Sequence, residues 1–217
     1  MNSRKINKIL IANRGEIAVR VIKTLRKLHI ASVAVFADND ANAPHRRMAD
    51  EAYPLGNGSL KDTYLNVRKI IDAALDAGAD AIHPGYGFLS ESPELVEACE
   101  ANNLIFIGPD ASSMRLMGNK IASRKMAVEH GIPVTFGLTG GIDEILSQAD
   151  TLPFPVIIKA AAGGGGKGMH IVRSKDGLKD ALEGASREAE KYFGDGTVFV
   201  ERRFQSLLAQ IAQNDVT

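Results

Sequence analysis

Phe154-Pro155-Val156-Ile157-Ile158-Lys159-Ala160-Ala161-Ala162-Gly163-Gly164-Gly165-Gly166-Lys167-Gly168-Met169-His170-Ile171-Val172 is the stretch on which the reading of this chain turns. Two short β-type runs, 154–158 and 169–172, flank a loop with four consecutive glycines and a lysine on either side. Ordering each glycine costs about 0.5–1 kcal/mol of extra backbone entropy, so packing does not explain the run. It makes sense where bare backbone N–H groups must approach a ligand through φ angles closed to other residues, forming a concave anion nest. With Lys159 and Lys167 beside it, the natural guest is a polyphosphate. The pattern G-x-x-x-x-G-K-[ST] of a P-loop needs Gly at 161 and Ser or Thr at 168, where the chain has Ala161 and Gly168. A P-loop also opens a helix, whereas 169–173 reads as a strand. The prediction is a mobile glycine flap between two strands, able to close over a nucleotide.

Upstream of the flap, strand-like and helix-like segments alternate. Ile9-Leu10-Ile11-Ala12 and Ala31-Ser32-Val33-Ala34-Val35-Phe36 are apolar strand runs, separated by a helical series Ile17, Val21, Leu25, Leu28. A helix marked by Val67, Ile70, Ile71 and Ala74 runs out at Gly78. Strands at 79–82 and 104–107 then enclose a helix that follows Pro93. This alternation predicts a parallel, doubly wound α/β sheet whose strand-to-helix loops share one ligand-binding edge. Helical segments at 112–117 and 120–130 follow. The chain then reads as strand, flap, strand, a helix with Leu178, Leu182, Ala185 and Ala189, and a strand at 198–200, a small α+β unit. That last strand has no later segment to complete its sheet, so the unit is expected to want more chain.

Composition excludes several function classes. Among 217 residues, Lys+Arg and Asp+Glu both number 26, which argues against a bulk electrostatic nucleic-acid binder. The single cysteine, Cys99, excludes an internal disulfide and a Cys-based zinc site, and reads as a buried helical residue. No apolar run approaches the ~20 residues needed to span a membrane, and residues 1–5 lead into no signal-peptide core. The expectation is a cytoplasmic protein with neither a nucleic-acid nor a membrane partner.

Taken together, the motifs resemble the biotin carboxylase family, the biotin-carboxylating subunits or domains of acyl-CoA and pyruvate carboxylases within the ATP-grasp superfamily. The matching pieces are Lys8-Ile9-Leu10-Ile11-Ala12-Asn13-Arg14-Gly15-Glu16-Ile17-Ala18, Tyr64-Leu65-Asn66, and Ile82-His83-Pro84-Gly85-Tyr86-Gly87-Phe88-Leu89-Ser90-Glu91. They continue with Phe106-Ile107-Gly108-Pro109, Leu116-Met117-Gly118-Asn119-Lys120 and the flap. The resemblance implies a Rossmann-like N-terminal domain over 1–112, a helical connection over 113–132, and a small ATP-grasp subdomain with the flap over 133–204. It does not cover 205–217, a non-matching tail that stands where the family continues into the larger half of its ATP-grasp domain. On that reading the chain is truncated, and alone it binds ATP weakly without turnover.

The resemblance implies a ligase. ATP and bicarbonate form carboxyphosphate, and the carboxyl group passes to biotin borne on a carrier protein or domain, for use by a carboxyltransferase component. A homo-oligomer is implied as well. The nucleotide contacts implied are Lys120, Lys159, Gly163, Gly164, Gly165, Gly166, Lys167 and Glu201, with backbone groups of Arg202 and Phe204 at the adenine edge. Each has a physical reason. Lys159 ends an apolar strand, where an ammonium is costly unless it meets an anion. Lys120 opens a helix, the end that suits anions rather than cations, so it asks for another partner; it also reads as a solvated surface lysine. Glu201 can accept from an adenine amino group or a ribose, or be an ordinary strand-end carboxylate.

Tyr86, Gly87 and Glu91 are the candidates on the biotin and bicarbonate side. Glu91 reads equally as the N-terminal charge of the next helix, and His83 as a hydrogen-bonded core histidine. Arg14 and Glu16 can form an internal ion pair that fixes their loop. The family's Mg²⁺ or Mn²⁺ has no carboxylate pair of convincing spacing here, so no metal ligand is assigned. Two alternatives remain: a non-catalytic nucleotide-binding or subunit-interaction fragment, and another ATP-grasp ligase such as a carbamoyl phosphate synthetase.

Overall fold

The computed structural model describes residues 5–161 and 169–203. The chain divides into two compact units, with the division between Arg115 and Leu116.

The first unit is a five-stranded sheet of order β3-β2-β1-β4-β5: β1 (Lys8–Ile11), β2 (Ala31–Ala37), β3 (Glu51–Gly56), β4 (Ala81–His83) and β5 (Ile105–Phe106). Every pairing in it is parallel. Side chains of successive strand residues point to opposite faces, and both faces are covered. Ile9, Ile11 and Ala81 pack with Ala18, Ile22 and Leu25 of α1 (Gly15–Lys27). Leu10, Val33, Val35 and Ile82 pack with Ile70 and Ala74 of α3 (Val67–Asp76) and with Leu95 and Cys99 of α4 (Pro93–Ala101). Burial on both faces is why these strands read as continuous apolar runs rather than as alternations. The doubly wound sheet is therefore as expected, and Cys99 is buried as read.

In this unit β3 and α2 (Pro44–Met48) escaped the sequence reading. β3 carries Glu51 and Pro54, and α2 is only five residues long. β3 is an edge strand, where a proline removes no needed ladder donor.

The second unit is a four-stranded sheet of order β6-β9-β7-β8: β6 (Gly137–Thr139), β7 (Val156–Ala160), β8 (His170–Val172) and β9 (Val198–Arg202), all pairings antiparallel. Strand β9 is not short of partners, contrary to expectation. It lies between β6 and β7, and β6 is a Gly-Leu-Thr segment too short to show a period. One face of the sheet presents Val156, Ile158, Ala160, Val198 and Val200 to Leu178, Leu182, Ala185 and Ala189 of α8 (Leu178–Phe193) and to Ile145 of α7 (Ile142–Ser147). The alternate residues, among them Lys159 and Glu201, face the other way. Ahead of the sheet come α5 (Ala111–Gly118), within which the division of units falls, and α6 (Lys120–Glu129). Among the described residues no helix is long and apolar enough to cross a membrane.

Candidate functional site

In the second unit, the face of the sheet turned away from α8 carries the charged groups. Lys159 on β7 stands opposite Phe199, and Glu201 on β9 opposite Ile157, so the two lie diagonally on one face. The Lys159 ammonium donates to Glu201 Oε1, and the two side chains retain 28% and 15% exposure. The anion that satisfies this strand-end lysine is thus a carboxylate of its own sheet. Glu201 Oε2 accepts from Thr135 Oγ1 at 3.2 Å, and Arg124 of α6 donates to the Thr135 carbonyl and, at 3.3 Å, to its hydroxyl.

Lys120 is the first residue of α6, behind Asn119, whose Oδ1 accepts from the N–H groups of Ile121 and Ala122. Its pKa is lowered by burial and, second, by the positive charge of Lys159. A nearby positive charge disfavours the charged form of a lysine, so Lys120 stands within electrostatic reach of the Lys159–Glu201 pair. A cavity of about 400 Å³ between α6 and β6 is lined by Ile121, Arg124, Lys125, Val128, Glu129, Gly137 and Thr139; neither Lys120 nor Lys159 lines it. A larger one of about 520 Å³ shares Ile121 and Thr139 with it, is bounded further by Ile142, Ser186 and Thr197, and has no charged side chain in its lining.

Of the remaining residues expected at the nucleotide, Arg202 ends β9 and its N–H is already used by the Phe136 carbonyl at 2.8 Å. Gly163, Gly164, Gly165, Gly166, Lys167 and Phe204, the 205–217 tail and the expected flap motion lie outside the described residues. Thr135 and Arg124 were missed. The one available signal was the four-residue spacing of Lys120 and Arg124, which puts both on one side of a helix.

In the first unit, the loops after β1 and β4 adjoin each other. They lie where the strand order reverses, at the carboxyl edge where doubly wound sheets bind ligands. Tyr86, on the loop after β4, is 80% exposed. Gly85, Gly87 and Phe88 all have positive φ, at 71°, 67° and 48°. A Cβ on Gly85 would lie 2.7 Å from Asn13 Nδ2, so no other residue fits there. His83 is half-buried, its Nδ1 accepts from the Gly85 N–H at 2.9 Å, and burial lowers its pKa.

Two expected structural roles are corrected. Arg14 does not pair with Glu16; it pairs with Asp40 at 2.9 Å, while Glu16, four residues ahead of Arg20 on α1, pairs there at 3.5 Å. Glu91 does not charge the start of α4. It precedes the N-cap Ser92, and the first-turn acid is Glu94. Among the described residues no group of three or more His, Cys, Asp or Glu is placed to hold a metal ion, so the divalent ion implied by the resemblance finds no fitting cluster in them.

Comparisons with known proteins bear on the family and the fold. Residues 5–114 match the family model for the biotin carboxylase N-terminal domain, and 119–208 match that for the carbamoyl-phosphate synthase L chain ATP-binding domain. Biotin carboxylase 2 of Bacillus subtilis is 45% identical over 198 residues, covering 90% of this chain and 45% of that protein. Biotin carboxylase 1 of the same organism is 44% identical over 200 residues, covering 91% and 44%. Among solved structures, a Campylobacter jejuni biotin carboxylase in complex with β-γ-ATP superposes with a TM-score of 0.90 at 40% identity, covering 94% of this chain and 47% of that one. The biotin carboxylase domain dimer of Hydrogenobacter thermophilus 2-oxoglutarate carboxylase, bound to MgADP, ADP and bicarbonate, gives 0.87 at 41%, covering 93% and 45%. This chain thus spans less than half the length of these relatives. With its first half matched throughout by the N-terminal domain model, the chain belongs to the biotin carboxylase family.

Proposed function

We propose that this chain takes part in the ATP-dependent carboxylation of biotin, with the second unit holding nucleotide phosphates and the first unit presenting its 84–91 loop to biotin. What supports the reading is Lys159, an ammonium at the end of an apolar strand that shares one sheet face with Glu201, with Lys120 at the start of α6 near enough for the charge of Lys159 to lower its pKa. Phosphoryl transfer to bicarbonate is largely positional and electrostatic work, and lysines suit it. Lys159 exchanges Glu201 for a phosphate oxygen, and Lys120 takes a second. Glu201, held by Thr135, is then free to accept from the nucleoside. Gly163, Gly164, Gly165, Gly166 and Lys167, outside the described residues, are assigned to the phosphates by the family resemblance. Tyr86, Gly87 and Glu91 meet the acceptor side, where the carboxyl group of carboxyphosphate passes to a ureido nitrogen and phosphate leaves.

Biotin arrives on a carrier protein or domain, and carboxybiotin leaves for a carboxyltransferase component. The protein works as a homo-oligomer in the cytoplasm. Calorimetric titration of ATP against the wild-type protein and Lys120→Ala tests the nucleotide face. The expected result is affinity lowered about 10-fold or more, the worth of a charge-assisted hydrogen bond; equal affinities would remove Lys120 from the site.

A further inference from the structure

The strain in the 84–91 loop is held by residues that the reaction itself does not use. Asn13 is 3% exposed. Its Nδ2 donates at 2.9 Å to the carbonyls of both Pro84 and Tyr86, and its Oδ1 accepts from the Arg14 N–H at 2.9 Å. One buried amide therefore ties the loop after β1 to the loop after β4, with Gly85 between the two carbonyls it grips. Three residues further, Phe88 adopts a left-handed conformation that side-chain-bearing residues avoid. Its ring stacks on that of Tyr64, with centroids 5.5 Å apart and planes inclined by 19°.

Tyr64 is itself fixed. It is 1% exposed, its hydroxyl donates to Asp40 at 2.6 Å and accepts from the Ala37 N–H at 3.0 Å, and Arg14 lies over its ring. The tip between the two anchors is different in kind, with Tyr86 pointing into solvent. A connection built only to join β4 to α4 has no need of three left-handed residues clamped by a buried amide and a buried ring. Strain that the surroundings over-determine is characteristic of sites that must be preorganised.

We propose that Asn13 and Tyr64 are positioning residues, which hold the Tyr86–Gly87 tip in place for docking of biotin. The assignment rests on the function proposed above. It is tested by steady-state kinetics of bicarbonate-dependent ATP cleavage in the complete protein, with free biotin as the varied acceptor. Asn13→Ala and Tyr64→Leu are each expected to raise the KM for biotin or lower the biotin-dependent kcat by about 10- to 100-fold, the scale of a misplacement near 1 Å. The KM for ATP should stay within about twofold, because nucleotide binds the other unit. Cys99→Ser, which puts a hydroxyl into the apolar core behind α4, should lower thermal stability and leave the KM for biotin unchanged. Where Asn13→Ala does not fold, Tyr64→Leu decides.

Biotin kinetics equal to wild type in the folded variants would overturn the proposal. So would a parallel rise in both KM values, or a biotin effect in Cys99→Ser that tracks lost stability. If wild type itself shows no biotin dependence, the function proposed above has failed, and the positioning role falls with it; that failure is seen in the wild-type trace rather than in the variants.

Discussion

Replacing Lys159 with methionine separates the two partners that this side chain serves. Methionine keeps the length and apolar stem of the lysine while removing its charge. Among the described residues, the variant leaves Glu201, at 15% side-chain exposure, with the Thr135 hydroxyl at 3.2 Å. Breaking a fully buried ion pair costs about 3–5 kcal/mol; this pair keeps partial contact with water, so about 1–3 kcal/mol of stability should be lost. Changing Glu201 to Gln in the same chain removes the stranded charge and should restore most of that loss. Nucleotide affinity should behave otherwise. A charge-assisted bond to phosphate is worth about 1.5–3 kcal/mol, so Kd for ATP should rise about 10- to 150-fold, in the single and the double variant alike. Urea unfolding reads the first quantity and calorimetric titration the second. An unchanged Kd in Lys159→Met would refute the phosphate role. A double variant with wild-type affinity would show that Lys159 acts only by neutralising Glu201.

Two further outcomes follow from the first unit. His45 is fully buried between the Gly15 N–H, which donates to its Nδ1, and the Val35 carbonyl, and burial lowers its pKa from the ordinary 6.5. The unfolded chain therefore binds the proton more readily. The stability due to neutral His45 is complete above about pH 6.5 and is lost as pH falls below it, by up to about 1.4 kcal/mol per pH unit. His83 acts in the same direction. His45→Gln should flatten the pH dependence measured by urea unfolding, and an unaltered slope would contradict this. Gly85→Ala should destabilise more than Gly87→Ala. Both sites need positive φ, which costs about 1–2 kcal/mol for a side chain, but only at 85 would the new Cβ meet Asn13 and Ile17, at 2.7 and 2.8 Å. Melting temperatures that rank the two the other way would show that the loop yields.

The parallel sheet was legible because its inner strands are buried on both faces. Ile9-Leu10-Ile11-Ala12 and residues 31–36 can only be apolar throughout, and the helices between them repeat their apolar residues at helical spacing. What failed lay at edges. Among the described residues, β3 includes Glu51 and Pro54 because one of its sides has no strand partner, and β6 pairs only with β9 over three residues. Short edge segments bury too little for composition to betray them. With β6 unread, β9 had only β7 beside it, and its second partner stands some sixty residues earlier.

At the site, single residues were legible and their partnerships were not. Lys159 stood out because an ammonium at the end of Val-Ile-Ile demands an anion. That the anion is Glu201 follows only from the antiparallel register Ile157↔Glu201, between residues more than forty apart. The same holds for Asn13, which reaches Pro84 and Tyr86 across 71 and 73 residues because β1 and β4 are parallel neighbours ending at one edge. Nothing local in Asn13-Arg14-Gly15-Glu16 specifies that contact; an asparagine before a helix reads as a cap. Here Arg14 occupies the cap position without a side-chain bond, and the asparagine amide is turned instead to the neighbouring loop. The sheet order is thus what converts an ordinary capping residue into an anchor. A variant that keeps the loop sequence but moves β4 away from β1 would lose the anchor with every loop residue intact.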